Sequence, residues 1–450
     1  MNHQLRRLKC SFRKPVFALS GLLGCWMPLT IQAQTSQFIF PADFLSRFER
    51  VTPTTPTPTA PRTSGPTGSA AQNTQIQPHV KPAPLSSEGE EAIQQANNLA
   101  WTNRLPDAIV KYEALIRDPA TAHATRVPLA NAYRWTGRPD LAETQYLKAI
   151  SGDASNSDAA TGLEQAQREL RPRTSLKLGT GGDSNDLNIS TATLSHSWRD
   201  KTNTQVFRLD TDFGHYKQDP SGPNPKQAGL TFSYENVASS LQPRITVSGD
   251  GNPASGIFGE LKLKLSPLPV FVDIAHENFG RTAQSARALN AKLTANRIGI
   301  EGQWGGTLGA LSGRLAIQNV SDGNQIRTGN LKFTPAWRPL GLAFKPYIAV
   351  DTRDVRFNTP EYWSPADGSA SLGLGLTAEW SDKDWYLVLA GQAGTRLYGE
   401  AGTSWVGSAA AQRWIDKDTA VTVNLFGLSS IRDKTRYRSH SLSIKLDRLW

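Results

Sequence analysis

The densest set of ligand-handling groups lies in Arg353-Asp-Val-Arg-Phe-Asn-Thr-Pro-Glu-Tyr-Trp-Ser-Pro-Ala-Asp367. Its two prolines and the adjacent Tyr362 and Trp363 interrupt two extended runs, so the stretch reads as a structured loop at a rim. Aromatic rings beside a guanidinium such as Arg353 have two uses. They stack on a sugar ring, or they anchor a rim at a lipid interface. Covalent catalysis would need a nucleophile, a base and an orienting group within mutual reach. No nucleophile-elbow or zinc motif is found, and His196, His215, His276 and His440 are dispersed along the chain. The sequence therefore reads as a non-enzyme with no cofactor and no metal.

The elements that must hold this loop are strands. From Ser175 onward the apolar residues recur with period two. Phe207, Leu209 and Phe213 share one parity against Arg208, Asp210 and Asp212. Leu261, Leu263 and Leu265 oppose Glu260, Lys262 and Lys264, and Ile348 and Val350 oppose Lys345, Tyr347, Asp351 and Arg353. The last stretch repeats the pattern, with Leu442, Ile444, Leu446 and Trp450 against Ser441, Ser443, Lys445 and Asp447. Charges at that density are costly in lipid and cheap in a hydrated lumen, which assigns one face to each. The assigned inward charges, six positive and five negative, nearly balance, so the pattern does not describe a polyanion funnel. Tyr347 joins Arg353, Tyr362 and Trp363 as a candidate glycan-contacting or rim residue.

About 16 strands fit between residue 172 and the C-terminus, with turn-like breaks at sites such as Gly280–Gln284 and Ser321–Asn324. Only alternate residues of a barrel need be apolar, so a hydrophobic content of 38% is compatible with a transmembrane antiparallel β-barrel. The 12 tryptophans suit its interfaces. The formal charge of +10 is inflated by five N-terminal cations, Arg6, Arg7, Lys9, Arg13 and Lys14. Neither a basic face nor a recognition motif calls for nucleic acid.

Residues 1–33 read as a secretory signal: a basic start, an apolar run and cleavage after Ala33. Leu22-Leu23-Gly24-Cys25 also resembles a lipoprotein processing site, which would lipidate Cys25. Residues 34–87 comprise a short semi-polar segment and a Pro/Thr-rich flexible tether. Residues 88–171 turn helical and repeat: Leu99, Ala108 and Tyr112 recur as Tyr133, Ala142 and Tyr146, each 34 positions on. That is the period and residue character of tetratricopeptide repeats. The predicted fold is α+β multidomain, a short α-solenoid followed by a barrel at 172–450.

A repeat module followed by such a barrel resembles the outer-membrane components of bacterial exopolysaccharide secretion, whose members export cellulose or poly-N-acetylglucosamine. Tyr362-Trp-Ser-Pro365 is similar to the aromatic-Ser-Pro loop of the cellulose-export barrel domain. The Leu442, Ile444, Leu446 and Trp450 ending is similar to the signal read by the barrel assembly machinery. The resemblance implies a passive porin for a polysaccharide substrate, embedded in outer-membrane lipid, with its repeats in the periplasm. It implies an inner-membrane glycan synthase or periplasmic secretion components as partners. Such exporters carry many repeats where this chain carries about two. The competing expectation is a non-transporting scaffold or surface receptor, which a lumen filled by an inward plug would favour.

Overall fold

The computed structural model describes residues 85–450, apart from 102–103, 219–221, 252, 254, 267, 338–342, 366, 383 and 433. The expected signal, the Cys25 site and nearly all of the linker lie outside the described residues. Five helices come first: α1 (Ser87–Trp101), α2 (Leu105–Leu115), α3 (Pro119–Trp135), α4 (Pro139–Gly152) and α5 (Ser157–Leu170). Proline at the first or second position of α2, α3 and α4 starts each helix where a backbone N–H has no intrahelical acceptor. Asp118 and Asn156 cap α3 and α5 by accepting from Ala120 N and Ala159 N.

The sequence offset reappears as geometry. Tyr112 donates from α2 to Asn97 of α1 at 2.7 Å, and Tyr146 donates from α4 to Asn131 of α3 at 2.5 Å, each partner shifted by 34 positions. Ala96, Ala108 and Ala132 let these helices approach closely, and Tyr112 and Tyr146 are fully buried among them. Burial pushes the Tyr146 hydroxyl up to about 12, so it remains a hydrogen-bond donor at any physiological pH.

Sixteen antiparallel strands follow: β1 (Arg173–Asp183), β2 (Leu187–Arg199), β3 (Gln205–Gln218), β4 (Lys226–Asn236), β5 (Arg244–Asp250), β6 (Gly256–Lys264), β7 (Val270–Asn278), β8 (Thr294–Gly306), β9 (Gly309–Val320), β10 (Gln325–Pro335), β11 (Phe344–Val355), β12 (Ser369–Ser381), β13 (Trp385–Tyr398), β14 (Thr403–Trp414), β15 (Thr419–Arg432) and β16 (Thr435–Leu449). Each pairs with its sequence neighbours, and β1 pairs with β16 from Arg173↔Leu449 to Asp183↔Ser439, so the sheet closes and no edge is left.

The outward parity forms an apolar band that includes Leu176, Leu178, Phe213, Leu230, Ile274, Ile298, Leu374 and Ile444, all exposed. An exposed apolar belt around a closed barrel is the surface a bilayer covers. Both barrel termini lie at one end, called near below, beside the helices. There the outward face carries Trp198, Phe207, Tyr234, Trp380, Trp385 and Trp450, the girdle expected at an interface. Trp450 bonds Thr174 Oγ1 through Nε1 at 2.8 Å and Pro172 O through its backbone at 2.9 Å.

The helices are fixed to this near end. Arg171 reaches Asp418 at 2.6 Å and the Trp450 carbonyl at 3.1 Å, and Arg199 of β2 reaches Gly137 O at 3.3 Å. The Arg168 guanidinium lies 4.2 Å over the Trp414 ring. Helices and barrel thus meet along β14, the β14–β15 turn, β16 and β2.

Candidate functional site

The lumen has two unlike walls. From β3 to β11 the inward face carries a series of paired charges among neutral residues. Arg208 meets Asp210 at 2.7 Å, Lys345 meets Glu379 at 2.5 Å, Glu260 meets Arg297 at 3.3 Å, and Lys262 pairs with Glu301. Asp273, 1% exposed, sits between Arg297 at 2.6 Å and Arg314 at 3.0 Å. Pairing of this kind neutralises the charges against one another and stiffens the wall. Asp351 accepts from Asn330, and Lys264 lies on the same face, opposite Phe271.

The other wall runs from β12 through β16 and β1 to β2. A band of its inward positions is small and neutral: Gly373, Gly375, Ser408, Asn424, Ser441, Ser443, Gly179, Gly181 and Thr191. Farther toward the far end Val406, Phe426, Leu428 and Tyr437 pack together on the same face, beside Arg396 and Arg432. Lys445 and Asp447, paired at 2.9 Å, end this band on its near side.

Two far-end connections fold inward and separate the walls. The β7–β8 connection carries α6 (Phe279–Thr282) and α7 (Ala286–Asn290), where a simple turn was expected. The two short helices pack backbone to backbone at Gly280, where an added Cβ would lie 2.4 Å from Leu289 N. Arg281 ties them to Asp212 at 2.5 Å and Asp250 at 3.0 Å. Ala286 and Leu289 pack on Leu187, Ile189 and Tyr216, so this connection crosses from β7 to the tips of β2 and β3.

The β11–β12 connection, the loop singled out in the sequence, packs against it. Phe279 meets Tyr362 edge-on at 4.7 Å, and Ser285 Oγ donates to Glu361 O. Tyr362 is 7% exposed, and its hydroxyl is engaged with Asp322 at 2.8 Å and Asn324 at 2.9 Å. It is a buried prop of the loop, and the anchoring-or-stacking role expected of it is not where its ring lies. Tyr347 is held on the lumen side between Lys332, whose Nζ lies 4.1 Å over its ring, and Gly375, where the ring takes the place an added Cβ would need.

Trp363 is the aromatic residue presented to open space. The guanidiniums of Arg432, Arg353 and Arg396 surround its ring at 4.8, 5.3 and 5.8 Å, and Arg353 also bonds its carbonyl at 3.1 Å. Trp363 faces into the lumen, away from the lipid belt. It borders a cavity of about 650 Å³ enclosed by the inward loops on one side and by β1, β2, β15 and β16 on the other. Of the site residues, sequence parity placed Arg353, Asp351 and the lumen charges on one face. It missed Arg281, Asp250, Asp273, Arg297, Arg396 and Arg432, whose partners lie on distant strands.

No group of three or more His, Cys, Asp or Glu among the described residues is arranged to hold a metal. No family model and no curated protein matches the sequence. Among solved structures, the chain is similar to "Bacterial polysaccharide outer membrane secretin", with 11% identity, a TM-score of 0.51, and coverage of 62% of this chain and 99% of that one. It also matches CdiB from Acinetobacter baumannii at 9% identity and a TM-score of 0.37, over 61% of this chain and 60% of that one. OprD from Pseudomonas aeruginosa matches at 8% identity and a TM-score of 0.35, over 62% and 93%. Closed ring, apolar belt and hydrated charged lumen together define an outer-membrane β-barrel. Its fold is shared with the barrel of that polysaccharide secretin.

Proposed function

We propose that this barrel passes a secreted exopolysaccharide from the periplasm to the cell surface. The cavity between the small neutral wall and the inward loops carries this reading. A polymer must move along its path without being held, which favours dispersed hydroxyls and thin glycine wall over fixed charges. Trp363 offers one stacking face at the border of that cavity. The neutral band of this wall fits an uncharged glycan, cellulose or a related polymer, with Arg353, Arg396 and Arg432 gathered around Trp363, and the fold shared with a polysaccharide secretin supports the same class. The five-helix region is then a pair of tetratricopeptide repeats with a closing helix. It lies in the periplasm and hands on chain from inner-membrane synthesis or from periplasmic secretion components.

The test is single-channel conductance of the purified barrel with soluble β-linked glucan fragments added on either side. Transient blockade by glucan that shortens in Trp363→Ala supports the reading. A closed barrel, or blockade indifferent to both glycan and Trp363, overturns it in favour of a non-transporting receptor.

A further inference from the structure

The lipid-facing surface is not the same at its two ends. At the near end it is aromatic, whereas the far end of five adjacent strands, β16, β1, β2, β3 and β4, is basic. Strand register sets out the rows. The sequence Ile444, Leu178, Ala192, Phe213 runs across the barrel as one outward row and belongs to the apolar band. The next row outward is Leu442, Thr180, Ser190, His215 and Lys226, and the one beyond is His440, Gly182, Asn188 and Lys217. Arg438 and Arg436 continue β16 past that row. Each row lies about 7 Å above the last.

Two ridges of exposed nitrogen donors therefore rise immediately above the apolar band. Arg436, Arg438 and His440 form one, and His215, Lys217 and Lys226 form the other. Three strand spacings, about 14 Å, separate β16 from β3. The floor between them is Gly182, Ser190 and Asn188, which have short side chains or none. Among the described residues, no outward position on these five strands holds an acid. Cations confined to the height where acyl chains give way to headgroups meet lipid phosphate, whose charge-assisted bonds to Lys and Arg are strong.

We propose that this saddle is a binding site for the phosphates of a glycolipid headgroup in the leaflet at the far end, with the acyl chains lying on Leu178, Phe213 and Ile444. The site is independent of what passes through the lumen. The full chain in neutral detergent micelles is titrated with lipid A, a bisphosphorylated acyl-diglucosamine, and with its dephosphorylated form, and bound lipid is read by native mass spectrometry. Wild type retains the bisphosphorylated lipid, and R438Q and K217Q each lose roughly fivefold in affinity, the double variant multiplying both losses. K201Q, at a near-end turn, leaves affinity unchanged, and equal heat-unfolding midpoints show that each variant is folded. Equal retention by the double variant, or equal binding of the dephosphorylated lipid, overturns the proposal. So does full competition by inorganic phosphate at equal concentration, which would assign the saddle to free anions.

Discussion

The two lumen walls are built from the same strand geometry and do opposite things. Between β3 and β11, long charged side chains fill the space they face, and the inward helices α6 and α7 cap them. Between β12 and β2, a band of glycine, serine and threonine leaves space unfilled below the Phe426, Leu428 and Tyr437 cluster, and the cavity lies there. One wall carries rigidity so that the other can be bare. A barrel lined all round by small residues would lack cross-links; one lined all round by ion pairs would have no passage.

The comparison is broken most severely by removing what divides the walls. Replacing residues 280–292 with a short turn unites cavity and charged sector, and channel conductance should rise several-fold; unchanged conductance would mean that these helices do not border the path. Next, Thr191→Trp fills the bare wall, and ion flow should fall below about a tenth through the narrowed constriction. On the paired wall, Asp273→Ala leaves Arg297 and Arg314 facing each other with their shared carboxylate gone. Arg297 keeps Glu260 and Glu277 and Arg314 keeps Glu301, so the loss should be about 2–3 kcal/mol, read as a lowered unfolding midpoint in detergent. Ser443→Ala on the bare wall removes the acceptor of Asn424 Nδ2 at 3.2 Å and should cost only about 1 kcal/mol in the same assay.

The smallest effect concerns the near end. A hydrogen bond from Arg171 holds the Asp418 carboxyl below the usual carboxylate range. Its contribution to helix docking is therefore complete above the unfolded carboxylate's pKa and is lost as pH falls through the depressed folded value. Spin labels on α4 and the β14–β15 turn should report a broadened distance only in strong acid. Arg171→Ala should show that broadening at neutral pH.

Much of the barrel was legible because period two is forced wherever one face meets lipid and the other water. Leu442, Ile444 and Leu446 could be assigned outward from their parity alone, and sixteen strands matched the expected number. The 34-residue recurrence was equally plain, since Tyr112 and Tyr146 must reach Asn97 and Asn131 through identical spacing. The inward fold of the β7–β8 connection was not legible. Phe279–Asn290 forms helices of four and five residues, too short to show a helical period, so the segment reads as a turn. Nor could the sequence show that Asp273 pairs with Arg314, because ion pairs across three strands depend on register, which parity leaves open. Tyr362 and Trp363, adjacent in sequence, took opposite fates, one packed under Phe279 and one facing the cavity.

The anchorage of α5 to the seam also has a mechanical consequence. Arg171 grips the Trp450 carbonyl while Trp450 N grips Pro172 O, just where β1 and β16 begin their ladder. A load on the helices along the barrel axis reaches these two strands together and lengthwise. Ladder bonds lie across the strands, so such a load shears β1 against β2 and β16 against β15 along their whole registers, and does not peel β1 from β16 rung by rung. A pull on the helices is thereby borne by the two ladders that flank the seam, in their most resistant direction.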